Sequence, residues 1–367
     1  MPDILIVMFD AGGNVPLTLR LGRELRRRGN RVRVLDHEAQ RMAVEEAGLE
    51  FRAYRNSPPW TPHEDHGTWD LATTLLAVMT NPGIGQDLLD AVREDPTDLV
   101  IIDCMLFNAL DAAARAGLRH VALFPAFFGC ADGMFRHGPF GIVARLKGLG
   151  PRRLWRQADL ALVCSDRELD PAGGRPHDGN LVWTGPVHDA KRPAIGSTPP
   201  RVLASLSTGG LPGQHRVLQN ILDAAEGMNV ELVVTTGPAL DPASLRAPAN
   251  ATVHRYIPHS ELMPTCSAVV GHGGHGTTFR ALAHGLPMLI LPMSALTDQP
   301  TIGKKVAAAK AGKVLRKTAT PRQIRDALDE LLQVDTYRTA AATLGARIRA
   351  TDGASAAVDE LLALIDR

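Results

Sequence analysis

Short apolar runs alternate with stretches of helical periodicity along the whole chain. Ile4 to Phe9 is an unbroken apolar run that stops at Asp10-Ala11-Gly12-Gly13-Asn14. Pro16 suits a first helical turn, and Leu17, Leu21 and Leu25 recur at i, i+4 and i+8 before Gly29 closes the helix. Arg31 to Leu35 reads as the next strand, completing a strand-helix-strand unit. The pattern continues at Leu99 to Ile102, Val121 to Phe124 and Leu160 to Cys164. It restarts at Val202 to Leu206, Val230 to Thr235, Val253 to Tyr256, Ala268 to Val270 and Met288 to Leu291. Strands that are apolar throughout belong to parallel sheets covered by helices on both faces. The expected fold is α/β with two doubly wound halves, residues 1–185 and 201–350. A turn-rich linker joins them over 186–200, where Gly185-Pro186 and Lys191 to Pro200 interrupt the pattern. Tyr337 to Arg367 reads as helical, with Leu361, Leu362 and Ile365 on its apolar side, and 351–367 forms a terminal helix. Ser57 to Thr68 is a Pro- and His-bearing loop, either lining a site or simply surface.

Length agrees with two halves: 367 residues fit about two domains of roughly 150 each. Forty Lys+Arg against 39 Asp+Glu leave a net charge of +1, without the basic excess of a general nucleic-acid binder. No apolar run reaches the length of a membrane span. The first residues lack the basic stretch of a signal peptide. Cys104, Cys130, Cys164 and Cys266 stand far apart with no CxxC pair, which suits reduced thiols better than a disulfide frame or a zinc site. A cytoplasmic protein, monomer or homodimer, is expected.

Open α/β sheets bind ligands beyond the carboxyl ends of their strands. Three glycine-bearing strand ends stand out: Asp10 to Asn14, Ser207 to Gly210, and Gly271-His272-Gly273-Gly274-His275-Gly276-Thr277-Thr278. None is a dinucleotide fingerprint or a P-loop. In the third, glycines admit a ligand close to the backbone. Thr277 and Thr278 add hydroxyls, and the helix expected over Phe279 to Ala283 offers a partly positive end to an anion. His272 adds a donor. His272 and His275 form an HxxH, yet no third and fourth ligand accompany them, so no metal is expected.

The ordered set Tyr256-Ile257-Pro258-His259, His272 to Thr278, Ala281 to Met288 and Asp298-Gln299-Pro300 resembles the donor-binding signature of GT-B glycosyltransferases. Most similar are the nucleotide-sugar-dependent enzymes that decorate natural products in plants and antibiotic-producing bacteria. The resemblance implies two Rossmann-like domains facing a central cleft, the first mainly acceptor-binding and the second mainly donor-binding, with the terminal helix returning to the first. It places the diphosphate of a UDP- or dTDP-sugar on His272, Gly274, Gly276 and Thr277, opposite Ser207 and Thr208. Tyr256 matches an aromatic that stacks on the base, with core packing as the alternative. Asp298 and Gln299 match the pair that binds sugar hydroxyls, the alternative being a solvated loop. Two departures point to a deoxysugar: Pro292 to Thr297 lacks the glycine usual before the Asp, and Pro300 to Val306 lacks the usual Asn and Arg. The nucleotide sugar is a co-substrate, and no further cofactor is implied.

Family members commonly carry a His in the first loop, oriented by an Asp from a later strand. Here Gly13 stands in place of that His, which leaves the matching Asp103 without its partner. Asp10, at the end of the first strand, is the expected base, with Asp103 the fallback. Their structural alternatives are a turn residue and a buried hydrogen-bonder. A carboxylate suffices for a phenol or an activated ring carbon, so O- and C-linkage both stay open. Phe127, Phe128 and Phe135, in a phenylalanine-rich stretch, are expected to line an apolar, aromatic or polyketide-like acceptor site, with ordinary core packing the alternative. The expected function is transfer of a (deoxy)sugar to such an acceptor. The alternatives are a non-catalytic nucleotide-sugar-binding partner of another transferase and a nucleotide-sugar epimerase.

Overall fold

The computed structural model describes residues 1–61, 68–207, 210–295 and 297–366. Half of the Pro- and His-bearing loop, 62–67, lies outside them. The chain divides into two units: Met1–Thr61, Thr68–Val187 and the segment from Asp352 onward in one, His188–Thr351 in the other.

In the first unit, β1 (Asp3–Val7), β2 (Arg31–Asp36), β3 (Glu50–Ala53), β4 (Leu99–Asp103), β5 (His120–Phe124), β6 (Leu160–Val163) and β7 (Leu181–Trp183) form one sheet. Its order is β3-β2-β1-β4-β5-β6-β7, and every pairing is parallel. Both faces are dry, which is why β1 and β4 read as unbroken apolar runs. Leu5, Val7, Val100 and Ile102 pack on one side with Phe107 and Trp155. Ile4, Ile6, Leu99 and Ile101 pack on the other with Leu17, Leu21 and Leu25 of the helix Val15–Arg27. The helix Gly353–Ile365 closes this second face with Ala354, Ala357, Val358 and Leu361. The Arg28 guanidinium ties it down through Ser355 Oγ at 2.6 Å and through Asp359.

The second unit holds β8 (Arg201–Ser205), β9 (Glu231–Thr235), β10 (Ala251–His254), β11 (Ala268–Gly271), β12 (Met288–Ile290) and β13 (Gly312–Val314). Their order is β10-β9-β8-β11-β12-β13, again all parallel. Each sheet thus has its first and fourth strands side by side at the centre. Connections leave these two strands in opposite directions, and a crevice opens at their carboxyl ends.

Strands β3, β7 and β13 escape the sequence pattern: they are three or four residues long, and Glu50, Arg52 and Lys313 interrupt the apolar run in β3 and β13. β10 ends two residues before the expected Tyr256. The expected terminal helical stretch divides into Asp335–Arg349 and Gly353–Ile365.

Candidate active site

At the crevice of the first sheet, the chain runs on extended past β1, and Met8 N donates to Leu35 O at 3.1 Å. The next three carbonyls each receive a side chain. Tyr54 Oη donates to Met8 O at 2.8 Å, Asn14 Nδ2 to Phe9 O at 2.8 Å, and Trp60 Nε1 to Asp10 O at 2.6 Å. Segment 8–10 is therefore fixed where it crosses the switch point. Asp10 is 6% exposed. Its Oδ1 accepts from Gly12 N at 2.7 Å and its Oδ2 from Gln40 Nε2 at 3.0 Å. Gly12 sits at φ +88°, where a side chain would be strained.

Asp103 is not left without a partner. Asn14 Nδ2 donates to its Oδ2 at 2.9 Å, and Met105 N to its Oδ1 at 3.0 Å. Asn14 also accepts from Ala11 N at 2.9 Å, so one buried amide links the Asp10 loop to the end of β4. Burial pushes the Asp103 carboxyl up to about 6 against the pull of these hydrogen bonds. An amide bonds to a carboxylate without exchanging a proton, so Asn14 locks this position and cannot serve as a base.

The end of β2 adds groups that the sequence pattern did not single out. Asp36 is fully buried and pushed up to about 6 by that burial. His37 N donates to Asp36 Oδ1 at 2.6 Å, and His37 Nε2 lies 3.1 Å from Ser57 Oγ. Asp36 Oδ2 and His37 Nδ1 have no hydrogen-bond partner among the described residues. Asn14 carried a sequence signal, a cap-type residue two places before Pro16. Asp36-His37 carried only its place at the end of the strand read over Arg31 to Leu35.

The phenylalanines need a correction. Phe127 and Phe135 are 1% and 2% exposed, and Phe135 packs edge-on against Phe107 and Trp155. They are core because the helix Phe128–His137 turns Phe135 inward. Phe128 keeps part of its surface while contacting Phe124, Trp155 and Trp183. Asp170 anchors the start of that helix, accepting from Phe128 N and Gly129 N at 2.7 and 2.9 Å.

At the crevice of the second sheet, β11 runs into His272-Gly273-Gly274 and the helix His275–Ala283. The helix starts four residues earlier than expected, so Gly276 and Thr277 lie in its first turn, where amides lack intrahelical acceptors. Its N-cap, Gly274, has no side chain to supply one. The His272 imidazole lies across Gly274, and a Cβ there would be 2.4 Å from Nε2. Burial lowers His272 to about 4 and His275 to about 3, so both are neutral at pH 7. His272 Nδ1 is buried with no partner among the described residues. His275 packs its ring on Phe279 at 4.4 Å. Among the described residues no cluster of three or more His, Cys, Asp or Glu could hold a metal ion.

Gly273, at φ +85°, brings this loop against the start of the helix Gln299–Ala308; a Cβ would meet Gln299 O at 3.0 Å. Gln299 is buried, and its Oε1 accepts from Met293 N and Ser294 N at 2.8 and 3.2 Å. Asp298 is half-buried, makes no side-chain cap bond to the helix it precedes, and is pushed up to about 6 by burial. The pair is therefore not a solvated loop. Ser207 follows β8, and its carbonyl accepts from Gln214 Nε2 at 2.9 Å. Thr208 lies outside the described residues. Tyr256 is 76% exposed, so it is not core packing.

Residues 219–364 match the family model for the C-terminal domain of erythromycin biosynthesis protein CIII-like proteins. The chain is 26% identical to the 4'-demethylrebeccamycin synthase of Lentzea aerocolonigenes, over 99% of each chain. It is 25% identical to the O-mycaminosyltylonolide 6-deoxyallosyltransferase of Streptomyces fradiae, over 99% of this chain and 96% of the relative. Its fold matches that of a glycosyltransferase, VinC, solved with dTDP, at a TM-score of 0.76 and 21% identity over the full length of both. The chain is a glycosyltransferase of the GT-B fold. The auxiliary partner and the epimerase are not favoured. In this glycosyltransferase, Tyr256, His272, Gly274, Gly276, Thr277, Asp298 and Gln299 fall inside the stretch matched by the family model. Ser207, Thr208 and the first-unit residues fall outside it. No helix among the described residues is long and apolar enough to cross a membrane.

Proposed function

We propose that this glycosyltransferase moves a deoxysugar from a dTDP-linked donor to a small polyketide-like or aromatic acceptor, with Asp10 as the base. The observation that carries the assignment of the base is the Asp10 carboxylate itself. It stands at the switch point of the first sheet, fixed by Gly12 and Gln40, while Asp103 is held by Asn14. In the step, Asp10 takes the proton from an acceptor hydroxyl. The freed electron pair forms the bond to the anomeric carbon, and the bond to the diphosphate oxygen breaks with its electrons staying on the diphosphate.

The first amides of the helix His275–Ala283 receive that charge. Gly274 and Gly276 keep the approach open, and Thr277, His272 and Ser207 complete the cradle. Tyr256, exposed beyond β10, stacks on the base, and Asp298 and Gln299 hold the sugar. With leaving-group charge met by amides, turnover needs no divalent cation. Support for the dTDP donor comes from the nucleotide bound in VinC. Support for the deoxysugar and the acceptor comes from the deoxyallosyl and tylonolide in the name of the Streptomyces fradiae relative.

The test is a matrix of dTDP- and UDP-sugars against phenolic and macrolide acceptors, read by mass spectrometry, with Asp10→Asn and Asp103→Asn beside the parent. Asp10→Asn is expected to lose about a hundred-fold or more in turnover with donor affinity unchanged. Near-parental turnover in Asp10→Asn at every pH removes Asp10 from the chemistry.

A further inference from the structure

We propose that Gln40 is a positioning residue for the base, a neutral clamp that sets the orientation of the Asp10 carboxylate. This rests on Asp10 being the base. Gln40 occupies the residue before the helix Arg41–Glu46, a position that favours short capping side chains. It makes no cap bond there. Its side chain instead crosses to a residue thirty positions earlier, and Nε2 donates to Asp10 Oδ2 at 3.0 Å.

With Gly12 N on Oδ1 at 2.7 Å, both carboxylate oxygens are held by a neutral donor, and two donors on opposite oxygens fix the carboxylate plane. A Lys or Arg in this place would bind the charged form strongly and blunt its basicity. An amide orients without that cost. The charges around Asp10 make this neutrality matter. Asp36, fully buried at the end of β2, lies close enough for its carboxyl and that of Asp10 to repel each other. His37 stands beside Asp36, and Asp103 is one amide away through Asn14. Glu38 and Arg41, on the same turn as Gln40, pair with each other at the surface.

The experiment compares Gln40→Met, which keeps length but not the donor, and Gln40→Glu, which keeps length and adds charge. Each is assayed for kcat against pH at saturating donor, with donor affinity and Tm alongside. Gln40→Met is expected to lower kcat about ten-fold, the scale of a lost hydrogen bond to a charged group, with donor affinity unchanged. Gln40→Glu is expected to move the acidic limb of the kcat profile upward by about one pH unit, through like-charge repulsion. If Asp10→Asn abolishes turnover while the limb of Gln40→Glu overlays the parent's, the role of Gln40 is refuted and the base stands. A change in Tm alone, with kcat and limb unmoved, makes Gln40 merely structural and refutes it too. Full turnover in Asp10→Asn overturns the base and this proposal together.

Discussion

Gly274 and Gly276 stand two residues apart at the start of one helix and answer to different constraints. At Gly274 a Cβ would run into the His272 ring, whereas at Gly276 it would meet nothing within 4 Å. The chain's own packing therefore demands glycine only at the first position. Gly276→Ala is expected to leave the fold intact and the melting temperature no lower, alanine being the better helix former. It also puts a methyl group over the amides proposed to hold the diphosphate. Calorimetry with dTDP should show affinity reduced about ten-fold, the scale of one obstructed charge-assisted contact. Parental affinity would place the diphosphate elsewhere. Asn14 shows the converse constraint. Three hydrogen bonds converge on one side chain, so its identity is set by the loop and by a strand end 89 residues away.

Among the elements, the break between the last two helices is the most informative. Periodicity alone runs 337–367 together, but Asp352 ends that continuity by accepting from Ala354 N at 3.1 Å and Ser355 N at 3.2 Å. Gly353 follows because a Cβ there would lie 2.5 Å from Pro186 O. Asp352→Ala is expected to cost about 1 kcal/mol in urea unfolding, and Asp352→Ser much less. No loss in the alanine variant would mean that packing of the helix, not its cap, fixes the break. The same contrast explains what the sequence made legible. The central strands and the glycine loops are local signals, and they led to both crevices. β3, with Glu50 and Arg52 in four residues, and β13, with only Gly-Lys-Val, carry too little apolar pattern to be seen. The pairing of Asn14 with Asp103 and the inward turn of Phe135 are tertiary facts. A phenylalanine-rich stretch shows that rings will pack, not whether they face a ligand or the core.

At the scale of the whole molecule, burial sets two opposing pH dependences. Asp36 and Asp103, raised from 3.8 to about 6, hold protons in the folded chain that the unfolded chain has released. Their stabilising contribution is complete below about pH 3.8 and is lost as pH rises through 6. His272 and His275, lowered from 6.5 to about 4 and 3, act the other way. Their contribution is complete above about pH 6.5 and is lost as pH falls through those values. Asp103→Asn removes one group of the first kind. Relative to the parent, its melting temperature should therefore improve between pH 4.5 and 7.5; a constant difference would show that Asp103 does not titrate in that range. The terminal helix has a consequence for synthesis. Ala354, Ala357, Val358 and Leu361 close the face built on Ile4, Ile6 and Leu21, yet the ribosome makes the entire second unit before it reaches them. The second unit is free to finish folding first, which inverts the usual N-to-C order of domain maturation. Until Leu361 clears the exit tunnel, the growing chain carries an uncovered apolar face, the kind of surface that chaperones hold.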